Sequence, residues 1–306
     1  HVRFEDLGAL AKAVETVVDE REWDGIRVDA VDGVVFEPTE TYLTLANWRH
    51  GFETPRSLRG GLVPRPPQGA ASAPQPAPSD YTGQDIYYRS LQARETDMLT
   101  IYDYLWRWDT DWFWCSRAFG AQHPRVRRWW PRRYRRSDVY HKLVGLENRF
   151  GVMAHIDAAR GKPARERVIQ DVEIPVERLA EFLAWFDEHV AMRPVWLCPL
   201  RLREPAGPVS ARSWPSYPLV AGTTYVNVGF WGTVPIAEGA QDGDLNRAIE
   251  RRVTELGGHK SLYSDAYYDR ATFDRLYNGA NHAAVKKHYD PSDRLTGLYE
   301  KAVKRR

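Results

Sequence analysis

Thr223-Thr224-Tyr225-Val226-Asn227-Val228-Gly229-Phe230-Trp231-Gly232 alternates with the period of a strand whose two faces differ. Val226, Val228 and Phe230 make an apolar face that calls for a layer of helices. Tyr225, Asn227 and Trp231 make the other face, and Gly229 leaves a gap between them. Rings, an amide and a gap suit a flat partner that needs both stacking and hydrogen bonds. The alternative is an edge strand carrying wet aromatics. Ser261–Tyr268 reads in the same way, as a strand with Tyr263, Asp265 and Tyr267 on one side.

Upstream of this stretch, Val168–Pro175 is a strand that stops at a proline. It is followed by an amphipathic helix over Val176–Ala191, with Leu179, Phe182, Leu183 and Phe186 on one side. Pro194–Leu200 is a short buried strand. Downstream, Asp244–Leu256 is a helix with Gly257-Gly258 as its stop signal. Short helices follow at Thr272–Tyr277 and Asn281–His288, and a terminal helix begins at Asp293. At the other end a helix opens at Phe4-Glu5-Asp6-Leu7, with Asp6 as N-cap and an apolar stripe at Leu7, Leu10, Ala11, Val14 and Val18. Arg27–Phe36 and Glu40–Leu45 form a β-hairpin around Glu37-Pro38-Thr39. The fold class expected is α+β: one mainly antiparallel sheet with helices on one face and a bare, ring-lined second face.

Three stretches stand apart from this frame. Arg56–Pro78 is rich in Pro, Gly, Ala and Ser and reads as a flexible loop. Leu99–Cys115 is the most aromatic part of the chain, following a helical segment at Asp85–Leu91. It places Asp109 and Asp111 among indoles, where burial would raise their pKa, although capping a helix or pairing with Arg107 and Arg117 is the commoner role. Arg125–Arg136 packs seven arginines around Trp129, Trp130 and Tyr134. A solvated face is the default reading, peripheral contact with a membrane surface through 125–136 is the next, and nucleic acid is the third, with nothing else in the chain to support it.

The 306 residues allow one large core or two modest ones, and the net charge of +2 gives no electrostatic argument for nucleic acid. Twelve Trp and sixteen Tyr point to an aromatic-lined pocket, a membrane-facing patch or a large aromatic core. Cys115 and Cys198 form no metal or redox motif, which suits buried thiols in a reducing, cytoplasmic setting with possible membrane association. No membrane span, signal peptide, GxGxxG, P-loop, HExxH or GxSxG is present, and His282 and His288 lack metal-ligand spacing. The chain starts at His1, not Met, which suggests that its true N-terminus lies upstream.

Several of these stretches together resemble one family. Val168-Ile169-Gln170-Asp171-Val172-Glu173-Ile174-Pro175, Pro194-Val195-Trp196-Leu197-Cys198-Pro199-Leu200, Tyr225-Val226-Asn227-Val228-Gly229 and Leu262-Tyr263-Ser264-Asp265-Ala266-Tyr267 come in the order and spacing of delta(24)-sterol reductases. These are FAD enzymes of the vanillyl-alcohol oxidase superfamily. Asp109-Thr110-Asp111-Trp112-Phe113-Trp114 and Tyr289-Asp290-Pro291 fit as well. The resemblance runs from about Phe4 to Lys304. The proline-rich Arg56–Pro78 and the basic Arg125–Arg136 depart from it, and the Arg and Ala usage suits a bacterial member.

The resemblance implies that residues 1–306 are the C-terminal cap or substrate domain, with the N-terminal FAD-binding domain absent from this chain and supplied upstream or in trans. It implies a reductase of a C=C bond in a lipid, a sterol side chain or an unsaturated or methylene-branched acyl chain. NADPH would reduce FAD, and the flavin would deliver hydride while an acid protonates the other alkene carbon. The acid candidates are Asp265, Tyr263, Tyr267, His288 and Tyr289. Tyr225, Asn227, Trp231, Lys287 and Tyr289 would contact the cofactor, and Trp112, Trp114 and Trp196 the lipid. Oxidation of an alcohol or aldonolactone and a non-catalytic lipid- or partner-binding cap are the alternatives. No metal is expected.

Overall fold

The computed structural model describes residues 1–49, 77–161, 163–202 and 217–305. Nearly all of the loop expected at Arg56–Pro78 lies outside the described residues. The described chain divides into two compact units, one formed by His1–Leu45 with Leu143–Arg306 and the other by Ala46–Lys142.

The first unit has the expected α+β architecture. Its strands are β1 (Val2–Phe4), β2 (Glu22–Trp23), β3 (Ile26–Arg27), β4 (Ala30–Glu37), β5 (Glu40–Ala46), β6 (Arg165–Pro175), β7 (Val195–Arg201), β8 (Thr224–Pro235) and β9 (His259–Lys260). Seven of them form one sheet in the order β1-β5-β4-β7-β8-β6-β9, and β2 pairs with β3 alone. The longest pairing is β6 against β8, antiparallel from Arg165↔Pro235 to Pro175↔Tyr225. On its other edge β8 pairs with β7 from Trp196↔Gly229 to Arg201↔Thr224.

The alternation of β8 is realised as read. Val226, Val228 and Phe230 pack with Val168, Val172 and Ile174 of β6 and Val195 and Leu197 of β7 in one core. The helices Leu7–Glu20, Leu179–His189 and Asp244–Glu255 close that face. Each presents a stripe at helical spacing: Leu10, Ala13, Val14 and Val17 from the first, Leu179, Phe182, Leu183 and Phe186 from the second, Ile249 and Val253 from the third. Burying one such side chain stabilises by about 1.5–3 kcal/mol. Asp6 caps the first helix by accepting from the Ala9 amide at 2.7 Å. Glu166 caps the third from the sheet, accepting from the Leu245 and Asn246 amides.

Val2–Phe4 is a strand paired with β5, and the first helix begins at Leu7, after the Asp6 cap read from the sequence. Two expectations are corrected. Ser261–Tyr268 is not a strand. Only His259 and Lys260 pair with β6, opposite Glu173 and Val172. The backbone beyond them is drawn off the ladder by side chains and a distant carbonyl: Lys260 Nζ donates to the Asp265 carbonyl, the Tyr267 amide donates to the Glu250 carboxylate, and the Ala266 amide donates to Ala302. The terminal helix is also shorter than expected, Leu298–Ala302.

The second unit is built from short helices and aromatic contacts. Tyr87 packs edge-on against Tyr81 and Trp108, and Trp114 packs against Tyr88 and Trp108. Asp111 is 1% exposed and organises a tight turn. It accepts from the Trp114 amide at 2.6 Å, from the Ser116 hydroxyl and from Gln122 at 3.0 Å. Trp112, Phe113 and Trp114 all have positive φ there, a run that only such a network sustains. Burial raises the Asp111 pKa to about 6. Asp109 accepts from the Ser137 amide and hydroxyl at the start of the Ser137–Phe150 helix. Both aspartates therefore hold turns and helix ends together. Among the described residues no helix is long and apolar enough to cross a membrane.

Candidate active site on the open sheet face

The face of the sheet turned away from the helices collects side chains in rows set by strand register. Asp171 of β6 and Trp196 of β7 both stand opposite Gly229. One step along, Glu173, Asn227 and Cys198 form the next row, and His259 of β9 extends it past Glu173. Gly229 has a steric reason to be glycine. A Cβ there would lie 2.6 Å from Asp171 Oδ1 and 2.6 Å from the Trp231 ring. The gap read from the sequence is thus filled by a carboxyl group and an indole.

Glu173 is the centre of the cluster and is 2% exposed. Its Oε1 accepts from the Ser261 hydroxyl at 2.7 Å, the Tyr217 hydroxyl at 2.9 Å and Asn227 Nδ2 at 3.2 Å. Its Oε2 has no hydrogen-bond partner among the described residues and faces His259 Nε2 at 3.7 Å. No Lys or Arg among the described residues pairs with this carboxyl group. Burial raises its pKa to about 7, against the donors on Oε1 that favour the anion. Burial also lowers His259 to about 4. The contact is therefore a neutral imidazole against a readily protonated carboxyl group, not an ion pair. Three donors occupy Oε1, so the acidic proton belongs on Oε2.

Asp171 repeats the pattern one pleat away. Burial raises it to about 6, opposed by a hydrogen bond from the Tyr263 hydroxyl. Its Oδ1 also lacks a partner among the described residues. The Tyr263 oxygen in turn accepts from Trp231 Nε1 at 2.9 Å. The Tyr263 ring is more than half exposed, but its hydroxyl end is enclosed by these two partners, and burial raises its pKa. Tyr217 is raised for the same reason. The rings of Trp196 and Trp231 lie 6.3 Å apart beside the cluster.

No family model matches the chain, and no solved structure matches it. The delta(24)-sterol reductase of Rattus norvegicus is 26% identical over 140 residues, which is 46% of this chain and 26% of that protein. The Arabidopsis thaliana delta(24)-sterol reductase is 26% identical over 151 residues, covering 45% of this chain and 27% of its own. The delta(24)-sterol reductase homolog of Caenorhabditis elegans is 29% identical over 114 residues, 37% of this chain and 20% of its own. The chain is related in sequence to the delta(24)-sterol reductases. It spans about a quarter of the length of the rat and plant relatives.

The residues singled out in the sequence separate into four groups. Asn227, Trp231, Tyr263 and Trp196 meet on the open face, and Tyr225 adjoins them, its ring 5.4 Å from that of His259. Asp265 and Tyr267 do not join the cluster, because the strand expected to align them with Tyr263 is not formed. The Asp265 carboxylate is about a third exposed and pairs with Arg167 at 3.4 Å and Arg305 at 3.1 Å. Tyr267 lies under the Arg247 and Arg305 guanidinium groups. Lys287, His288 and Tyr289 end the Gly279–Tyr289 helix, all three exposed, with His288 packed against the Tyr289 ring. Trp112 and Trp114 belong to the second unit, where Trp112 contacts His141 and Trp114 is buried.

Reading the sequence missed Asp171, Glu173, Tyr217, Ser261 and His259. For the first two the signal was present. If Val168, Val172 and Ile174 face the core, alternation puts Asp171 on the other side, and the register with Asn227 puts Glu173 there too.

Proposed function

We propose that this chain is the substrate-side part of an FAD-dependent reductase that saturates a C=C bond of a lipid. The observation that carries the reading is Glu173, a carboxyl group with a pKa of about 7 buried in a ring-lined face and lacking a cationic partner among the described residues. The sequence relation to delta(24)-sterol reductases supports it. An isolated alkene accepts hydride only if the other carbon is protonated at the same time, so the site needs an acid that still holds its proton near neutral pH.

The donor set fits an isoalloxazine ring. Trp196, Trp231 and Tyr263 offer flat faces, Asn227 Oδ1 is a buried acceptor without a partner among the described residues, and the protonated Glu173 Oε2 is a buried donor without one. When bound, reduced FAD supplies the hydride, with NADPH as the source of its electrons. The phosphate-bearing part of the cofactor would be held by a domain outside residues 1–306. Glu173 stores the proton at Oε2. As that proton leaves, Tyr217 and Ser261, which donate to Oε1 and are only partly buried, hand a hydroxyl proton inward to Oε1, and solvent restores the hydroxyl proton after each turnover. The indole and phenol faces stabilise the positive charge that grows on the alkene, each by about 0.5–2 kcal/mol.

One observation also favours the reverse chemistry. Asp171, Glu173, Asn227 and Ser261 are more polar groups than a purely lipid site needs, and above pH 7 the Glu173 carboxylate would serve as a base in alcohol oxidation. The test is an anaerobic assay of the chain assembled with a flavin-binding domain of the same family. The reading predicts NADPH oxidation matched one for one by alkene lipid that gains two hydrogens by mass. Alcohol-driven dye reduction with no alkene consumed would favour the second reading, and a flavin-loaded protein that does neither would sink both.

A further inference from the structure

We infer that the segment Pro124–Arg136 is an electrostatic docking surface for an anionic lipid bilayer. Arg125, Arg128 and Trp129 are spaced i, i+3 and i+4 on the Pro124–Trp129 helix, so they share one face. That face is open: Trp129 is 81% exposed, and Arg125 and Arg128 are exposed with it. Arg133 and Tyr134 follow in the next turn, the guanidinium 4.8 Å above the phenol ring, both exposed.

The charge on this surface is largely uncompensated. Arg132 pairs with Asp80 and Arg136 with Asp138. Arg125, Arg128 and Arg133 have no acidic partner among the described residues. The segment is nevertheless ordered from beneath. Arg135 donates to the carbonyls of Trp130, Arg127 and Gly83, Trp130 Nε1 donates to the Tyr134 carbonyl, and the Trp130 ring packs near Tyr140. One arginine is thus used as a brace, while three others and an indole are held outward. A purely solvated face has no use for an indole at its most exposed position. Cations that bind phosphate beside an amphipathic ring that settles at headgroup depth match the chemistry of an anionic interface.

The experiment is co-sedimentation of the full 306-residue chain with vesicles of phosphatidylcholine containing about one-third phosphatidylglycerol, against pure phosphatidylcholine. Each basic side chain near an anionic surface contributes a roughly fivefold gain in partitioning. Replacing Arg125, Arg128 and Arg133 together by Gln should then weaken binding to the anionic vesicles about 100-fold. Replacing the same three by Lys should retain most of it, because the charge remains. Binding should also vanish in 1 M salt, where the screening length falls to about 3 Å. Trp129→Ala should weaken binding at every salt concentration at which the wild type binds. All four positions are exposed, so unchanged thermal unfolding verifies that the variants fold. Sedimentation of wild type and the Gln variant to the same extent would overturn the inference. So would failure to bind either vesicle, or binding to a short single-stranded RNA but not to vesicles.

Discussion

Glu250 and Glu173 are almost equally buried, 3% and 2% exposed, and lie on opposite sides of the same sheet. Glu250 sits on the helix side. Lys260 Nζ is 3.0 Å from it, and the Tyr267 amide donates to both its oxygens. Burial pushes Glu250 up and Lys260 down, and their mutual attraction opposes both shifts. Glu173 sits on the open side with hydroxyls, an amide and a neutral imidazole as neighbours. The difference lies in what surrounds an equally dry carboxyl group. A cation and two amide contacts make Glu250 a clamp on the chain that follows Lys260. Neutral donors on one oxygen leave Glu173 free to hold or release a proton near neutral pH.

The largest expected effect concerns the clamp. Lys260→Met leaves a buried carboxyl group without its cation and should cost about 3–5 kcal/mol in denaturant unfolding. Glu173→Gln closely mimics a protonated carboxyl group, so below pH 7 it should cost less than about 1.5 kcal/mol. Equal costs for the two substitutions would break the comparison.

The next effect is a pair of opposite pH slopes. Glu173 is raised on folding, from 4.5 to about 7, so the folded state holds its proton longer than the unfolded chain. Its contribution to stability is fully present below about pH 4.5 and is lost as pH rises to about 7, a change of about 3 kcal/mol. Asp171 acts in the same sense between 3.8 and about 6. His259 is depressed from 6.5 to about 4, so its contribution is present above about pH 6.5 and is lost as pH falls to about 4. Measured against wild type, Glu173→Gln should therefore make the stability–pH slope more positive between about pH 4.5 and 7. His259→Gln should make it more negative between about pH 4 and 6.5. Slopes that change in the same direction would contradict the assignment of the proton to the glutamate.

A smaller effect sharpens the picture of the open face. Gly229→Ala places a methyl group against both the Asp171 carboxyl group and the Trp231 ring. It should destabilise by about 1–3 kcal/mol and displace the indole, visible as a shift in tryptophan emission. An alanine variant as stable as wild type, with unchanged emission, would mean that the two side chains do not fill that gap.

Much of the fold was legible because burial enforces periodicity. Val226, Val228 and Phe230, and the stripe from Leu179 to Phe186, can be read from one strand and one helix at a time. The site was legible only where a local pattern carried it, as with Asn227, Trp231 and Tyr263. Glu173 looks like a solvated strand residue until Tyr217, Asn227 and Ser261 arrive from 44, 54 and 88 positions away and bury it. Asp265 shows the converse. Its alternating neighbours imitate a strand, but the buried Lys260–Glu250 pair captures the backbone around it and turns its carboxylate toward two arginines. The Ser137–Phe150 and Val152–Ala159 helices were not read, although Val139, Tyr140, Leu143 and Val144 recur at helical spacing beside the arginine run.

The most direct measurement is turnover of an alkene lipid by Glu173→Gln and by Asp265→Asn, each assembled with a flavin-binding domain. If Glu173 stores the proton, its amide variant should lose about 100-fold or more in the reductive step, while flavin reduction by NADPH stays normal. Asp265→Asn should turn over like wild type. Full activity in Glu173→Gln, with the loss falling on Asp265→Asn, would contradict the account and return the acid to the residue first suggested by the sequence.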